Sequence, residues 1–303
     1  MSETNIKLAL IKGGWSAERE VSLNTGQECA TALRKLGYNV IEINAVSNLL
    51  NDLESIKPDL IFNCLHGRWG EDGVIQACFE WLGIPYTHSG VLASALAMDK
   101  QKSRHIFKSI GLPIATGFVI KSEDLQCSHP MTVPYVIKPT NEGSSVGVHI
   151  IHDVSEKVNN FSEKLPEYVL IEEFVPGREL TVTVMGNNTL EVTEIESPTW
   201  YDFNAKYSVG GSKHITPAKI PLDVKEACFD YALKAYNVLG CKGVARIDFR
   251  WNCTLGVNGL VVLELNTQPG MTKTSLVPEQ AKACDISFED LCRWIVEDAS
   301  CDR

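Results

Sequence analysis

Residues 244–276 read VARIDFRWNCTLGVNGLVVLELNTQPGMTKTSL, and the rest of the chain is organised around them. Two apolar runs, ARIDFRW and LVVLELN, flank a loop that contains Asn258-Gly259, a hairpin signal. A turn centred near Gly256 sets Asp248 opposite Glu264 and Arg246 opposite Asn266. Side chains two apart on a strand share a face, so Arg246, Asp248, Glu264 and Asn266 fall together. Ala245, Ile247, Leu263 and Leu265 take the other face. Two carboxylates and a carboxamide make a poor core, because buried charge must be paired or bind metal. Their oxygens are hard donors, suited to Mg²⁺ held with substrate phosphates. Arg246 beside them suits a phosphate or a developing oxyanion. The plainer alternative is a solvated strand face with cross-strand ion pairs. Against it, Glu264-x-Asn266 runs straight into a tight turn, Thr267 to Thr272.

Composition narrows the classes. The 303 residues have room for two or three domains, and 44% hydrophobic with 22% charged residues is ordinary for a globular protein. A formal charge of −10 argues against nucleic acid or an anionic membrane as partner. No apolar run approaches the ~20 residues of a membrane span, and MSETNIKLALIKGG reads as a first strand rather than an export signal. Ten cysteines without a CxxC pair suggest packed, reduced thiols of a cytoplasmic protein.

Working outward, Ile6 to Ile11 is a strand broken by Gly13-Gly14. Ser16 then caps a helix that ends at Gly37, with Glu18 in its first turn. Glu18 either complements the helix dipole or is a carboxylate at a strand-to-helix junction, where ligands gather in open α/β sheets. Strands follow at Tyr38–Ile43 and Asp59–Leu65. The second opens into His66-Gly67-Arg68-Trp69-Gly70-Glu71-Asp72-Gly73, where a lone His66 reads first as a structural hydrogen-bonder. Helices at Val74–Leu82 and Val91–Met98, with a short strand at Ile84–Tyr86 between them, complete a small parallel sheet covered by helices.

From Asp99 the pattern changes to a helix (Asp99–Ile110), then strands at Gly117–Ile120, Tyr135–Lys138, Val148–Ile151 and Tyr168–Glu172. Lys138 ends a strand before the Gly/Ser loop 139–147, which offers backbone N–H groups and hydroxyls to phosphates. It is no Walker A loop and reads as a hairpin lid. Glu172 to Glu179 is either an edge-strand turn or a bend that reads an adenine edge and a ribose. Arg178–Met185 and Thr189–Ile195 form a hairpin. Residues 198–217 are long and broken, as functional lids are, with Lys206-Tyr207 their most chemically able pair. A helix from Leu222 to Leu239 leads back to the central hairpin.

The strings GGWSAEREVSLNTG, LHGRWGEDG, PYTHSGVLASALAMDK, KPTNEGSSVG, AKY, GCKGVARIDF and LELNTQPGMTKTSL, in this order, resemble the D-alanine–D-alanine ligases of the ATP-grasp superfamily. The resemblance implies an α/β and α+β architecture. An N-terminal α/β substrate domain with a parallel sheet (1–98) precedes a central ATP-grasp subdomain (99–185) and a C-terminal one (186–303) with metal and substrate sites. It implies a cytoplasmic ligase that joins two D-alanines for peptidoglycan precursors. One carboxylate takes the γ-phosphate of ATP, and the acyl phosphate is attacked by the amine of the second D-alanine. It places Glu18 on the first ammonium, in a hydrogen-bonded set with Ser144 and Tyr207. Lys100, Lys138 and Lys206 face the ATP phosphates, with Ser145 in the nucleotide set. Glu172, Phe174, Val175 and Glu179 hold adenine and ribose. Asp248, Glu264 and Asn266 bind two Mg²⁺, or Mn²⁺ in their place. Arg246 and the Gly270 N–H stabilise the oxyanion. Ser275 and Leu276 receive the second D-alanine, and His66 serves it too. A homodimer is implied. Phe174 stands where tryptophan is common, and Trp69 where glycine is frequent. The rivals are a ligase that uses D-lactate or D-serine as acceptor, and a catalytically silent nucleotide-binding relative.

Overall fold

A computed structural model describes residues 6–46, 48–126, 128–143, 147–156, 165–196 and 212–303. Ser144, Ser145, Lys206 and Tyr207 lie outside the described residues, as does most of the 198–217 stretch.

The first sheet is parallel, in the order β2-β1-β3, with β1 Lys7–Lys12, β2 Asn39–Asn44 and β3 Leu60–Asn63. Helices α1 (Arg19–Lys35), α2 (Leu49–Ile56), α3 (Val74–Leu82) and α4 (Val91–Met98) connect and cover it. Near-continuous apolar strands such as KLALIK suit a sheet buried on both faces. Two readings need correction here. Ser16 does not cap α1: Glu18 occupies the N-cap, and the Ser16 hydroxyl donates to the His66 carbonyl at 2.7 Å. Ile84–Tyr86 is no strand: Tyr86 alone forms two isolated bridges, to Ile61 and to Ser300. Pro85 has no N–H for a ladder, which limits pairing there.

The second sheet is antiparallel, β4-β7-β5-β6, from β4 Gly117–Lys121, β5 Tyr135–Pro139, β6 His149–Ile151 and β7 Tyr168–Glu173. Helix α5 (Lys100–Ser109) precedes it, capped by the Asp99 carboxylate that accepts the Lys102 N–H. The third sheet runs β10-β9-β8-β11-β12, from β8 Arg178–Met185, β9 Asn188–Glu196, β10 Lys213–Ile215, β11 Val244–Trp251 and β12 Leu260–Asn266. Helix α6 (Leu222–Val238) packs on its apolar face. The third sheet bears on the expected boundary at 185/186, which cuts between β8 and β9. Those strands pair from Glu179↔Ile195 to Met185↔Asn188 within one sheet. Two closing helices, α7 (Leu276–Ala283) and α8 (Phe288–Glu297), were not foreseen. Their Val277, Ala281, Leu291 and Ile295 share one core with Leu8, Leu10, Cys29 and Phe62 of the first sheet.

The β11–β12 hairpin has the expected pairs Arg246↔Asn266 and Asp248↔Glu264. Beyond them the register slips, and Phe249 pairs with Val262. Leu263 is therefore the extra residue of a bulge, which turns it onto the site face instead of the core. The connection is also longer than an Asn-Gly turn. Residues Cys253–Gly259 wind as 3₁₀ helix, and Gly256 holds the positive φ of 56°. Gly259 serves a different need, because a Cβ there would lie 2.1 Å from the Asn252 carbonyl oxygen.

Candidate active site

Two cavities meet on the polar face of this hairpin. Lys100, Lys138, Glu172, Phe174, Val175 and Glu179 line the first, between the two antiparallel sheets. Glu18, His66, Arg246, Gly270, Ser275 and Leu276 line the second, of about 740 Å³, below the first sheet's C-terminal edge. Glu264 lines both, with Asp248 on the first and Asn266 on the second. The described part of the sequence-derived set thus converges on one continuous cleft.

In the first cavity, Glu172 is 2% exposed and pairs with both Arg104 and Lys138. An almost fully buried carboxylate needs such partners. Arg104 also donates to the Ala115 carbonyl at 2.6 Å, so it ties α5 both to β7 through Glu172 and to the segment that leads into β4. It was missed from sequence, because an arginine on an amphipathic helix looks like a solvated face. Lys100 donates to the Glu142 carbonyl at 2.7 Å and lies 3.1 Å from Glu264. Phe174 meets the His152 ring edge-on at 5.7 Å between centroids, and the Arg250 guanidinium lies 5.9 Å from it. Arg250 also faces Glu179 at 3.6 Å and donates to the Val175 carbonyl at 3.2 Å.

At the junction, Arg246 grips Asp248 with two bonds of 2.8 Å, as i and i+2 on one strand face allow. Asp248 also accepts from the Thr181 hydroxyl at 2.6 Å and the Asn266 amide at 3.2 Å. Thr181 reaches it from β8, the paired strand on the other side. Such fixed donors hold the carboxylate in one orientation.

In the second cavity, His66 is fully enclosed. Its Nδ1–H donates to the Gln268 carbonyl at 3.1 Å, so Nε2 accepts from the Thr25 hydroxyl at 3.1 Å. Burial, with Arg246 nearby, lowers its pKa to about 4, so the ring is neutral. His66 therefore ties β3, α1 and the Thr267–Thr272 turn together, as its first sequence reading had it, while lining the cavity. Asn63 adds a bond to the Gln268 side chain at 3.2 Å. Ser275 is the N-cap residue of α7, and its hydroxyl accepts the Thr272 N–H at 3.0 Å.

Glu71 was also missed, although its string had been singled out. It is 9% exposed and lines the second cavity. Burial first, then the Glu18 carboxylate, push its pKa well above the usual carboxylate range. Gly143 sits against both acids: a Cβ there would lie 2.9 Å from Glu18 Oε1 and 3.5 Å from Glu71 Oε1. The sequence signal was a glutamate in a glycine-rich loop at a strand's C-terminal end, the same signal that marked His66.

Comparisons with known proteins point to one family. The family model described as "D-ala D-ala ligase C-terminus" matches residues 106–297, and "D-ala D-ala ligase N-terminus" matches 44–89. A D-alanine–D-alanine ligase of Ruegeria sp. is 55% identical over 302 residues, covering 100% of this chain and 99% of that protein. One from Roseobacter denitrificans is 55% identical, covering 100% and 95%. The crystal structure of the Bacillus anthracis D-alanine–D-alanine ligase complexed with ATP superimposes with a TM-score of 0.81 at 27% identity, covering 97% of each chain. A second structure of that ligase gives 0.84 at 30% identity, again covering 97% of each chain.

Proposed function

The chain belongs to the D-alanine–D-alanine ligase family, and from that premise we propose how its residues divide the work. The protein is an ATP-dependent ligase that forms D-alanyl-D-alanine, and its fold is ATP-grasp. Relatives at 50–55% identity carry that name, which disfavours a D-lactate or D-serine acceptor and a silent nucleotide binder.

One observation carries the assignment of roles: Glu264 lines both cavities, with Asp248 beside it on the first and Asn266 on the second. In our reading ATP lies in the first cavity. Its adenine and ribose rest on Glu172, Phe174, Val175 and Glu179, and its phosphates meet Lys100 and Lys138. Lys206 and Ser145 belong to this set by sequence alone. Both D-alanines lie in the second cavity, whose 740 Å³ falls within the ~300–1,000 Å³ of small-ligand sites. Glu18 faces the donor ammonium, with Ser144 and Tyr207 joining it by sequence. Ser275 and Leu276 receive the acceptor, and His66 shapes its wall.

Phosphoryl transfer asks for alignment and neutralised charge more than for covalent help. Asp248, Glu264 and Asn266 offer hard oxygens on neighbouring strands, which fits Mg²⁺. Among the described residues no cluster of three acidic, His or Cys ligands exists; our reading takes the Asn266 carboxamide as the third donor. We assign two ions to this set. When bound they neutralise charge on the transferring phosphate. Arg246 and the Gly270 N–H then face the oxyanion of the tetrahedral step. Three units divided near 98 and before Arg178, a homodimer and a cytoplasmic location complete the proposal. Among the described residues no helix is long and apolar enough to cross a membrane.

The test is phosphate release from ATP. We expect Mg²⁺-dependent release that requires D-alanine and yields the D,D-dipeptide. Equal turnover with L-alanine, or none with D-alanine, would sink the reading.

A further inference from the structure

An amine attacks an acyl group through a neutral nitrogen, yet an amino acid arrives as an ammonium. The acceptor must shed a proton before its lone pair is available. That proton needs a recipient in the second cavity, and the lining shows which groups are already engaged. Glu18 is assigned to the donor ammonium and Glu264 to metal. Glu28 sits 3.5 Å from Lys273, and Glu20 is exposed at the rim. His66 has both ring nitrogens committed to Thr25 and Gln268. His214 is 2.7 Å from Glu279. Among the described residues that leaves one carboxylate on the lining.

We propose that Glu71 takes the proton from the acceptor ammonium. This rests on the reading above, that an amino acid attacks an acyl phosphate in this cavity. The position supports it. Glu71 lines the second cavity and also the small one that runs past Gly143 to Lys100, Glu264 and Asn266. It thus stands between Glu18, assigned to the donor ammonium, and the end where phosphate is transferred. Its loop is held on both flanks. The Gly70 carbonyl accepts from Asn63 at 3.1 Å and Gln76 at 2.8 Å, while Asp72 accepts the N–H groups of Trp69 and Val74. A base on a fixed loop can be aimed, as general catalysis requires. Burial beside Glu18 also makes this carboxylate more basic than a solvated one.

The protons balance. One leaves the ammonium for the Glu71 carboxylate, and the freed lone pair forms the N–C bond. As the tetrahedral intermediate collapses, the C–O bond to phosphate breaks and the nitrogen's second proton departs with the phosphate. Amide and hydrogen phosphate (HPO₄²⁻) result, and Glu71 returns its proton to water.

Hydroxylamine gives a direct test, because it is a neutral nucleophile near neutral pH and traps an acyl phosphate as the hydroxamate without a base. With Glu71→Gln, dipeptide formation from ATP and D-alanine should fall roughly 10²–10⁴-fold, the span of general base catalysis. Hydroxamate formation from ATP, D-alanine and hydroxylamine should stay within a few-fold of the unaltered protein. Glu71→Asp, which keeps the carboxylate and moves it, should lower the dipeptide-to-hydroxamate ratio less than Glu71→Gln does. Parallel loss of both products would overturn the proposal, since Glu71 would then serve folding or the phosphoryl step. Undiminished dipeptide formation would overturn it as well. Should Glu71→Gln fail to fold, the ratio in Glu71→Asp decides alone, and an unchanged ratio counts against the role. If the unaltered protein makes neither product, it is the ligase reading that has failed.

Discussion

His66 and His88 are enclosed in a molecule that works with both rings neutral. His88 gives its Nδ1–H to the Val244 carbonyl at 3.4 Å, and its Nε2 has no partner among the described residues. Burial lowers the two pKa values to about 4 and about 3, below the usual 6.5. The unfolded chain therefore binds protons that the fold does not. Stability is complete above about pH 6.5 and drains as pH falls toward 4 and then 3, by up to ~1.4 kcal/mol per unit per ring. The thermal midpoint should drop steeply below pH 6.5, and His66→Gln should flatten that slope. A profile that is level down to pH 5 would contradict this. Glu264 tests the chemistry instead. Its side chain is partly exposed and faces Lys100 at 3.1 Å, so Glu264→Gln keeps the shape and a hydrogen-bonding oxygen. Turnover should fall by roughly 10²–10³-fold, the scale of losing one charge-stabilising group, with the circular dichroism spectrum unchanged.

At the scale of the element, the β11–β12 hairpin sets the terms. Its core face, with Ala245, Ile247, Phe249, Val262 and Leu265, is fully buried, and each large side chain there contributes ~1.5–3 kcal/mol. Gly259→Ala pushes a methyl against the Asn252 carbonyl and should lower the thermal midpoint by several degrees, a cost of about 1–3 kcal/mol for overpacking. A midpoint within one degree of the unaltered protein would show that the loop yields. The same hairpin shows how far sequence carries. The pairs 246↔266 and 248↔264 were legible because alternation and charge both report on which face is wet. The bulge at Leu263 was not, because one extra residue leaves the local pattern intact and shows only in the partner strand's register. Glu71 and Arg104 were hidden for another reason. Charged residues in a loop or on an amphipathic helix look solvated until tertiary contacts bury them. Beyond Leu276, helices α7 and α8 carry no residue of chemical interest to mark them in the sequence, yet their apolar faces close the first core.

At the scale of the whole molecule, those two helices carry a consequence in time. A ribosome releases the N-terminal strands first, but their core includes Val277, Ala281, Leu291 and Ile295 from the far end of the chain. Ser300 also bridges to Tyr86, and the N–H groups of Asp302 and Arg303 reach the Glu80 carboxylate. The first sheet therefore waits, partly unsealed, until α7 and α8 have been made. Domains of many proteins fold in the order they emerge; here the first to emerge is among the last to close. A fragment of residues 1–98 should expose apolar surface, bind a hydrophobic dye and melt without a sharp transition. Adding a separate 270–303 peptide should sharpen that transition and displace the dye. A fragment that melts cooperatively on its own would mean that the early strands need no such partner. During synthesis, then, the first sheet should keep an apolar face open until α7 and α8 arrive to cover it.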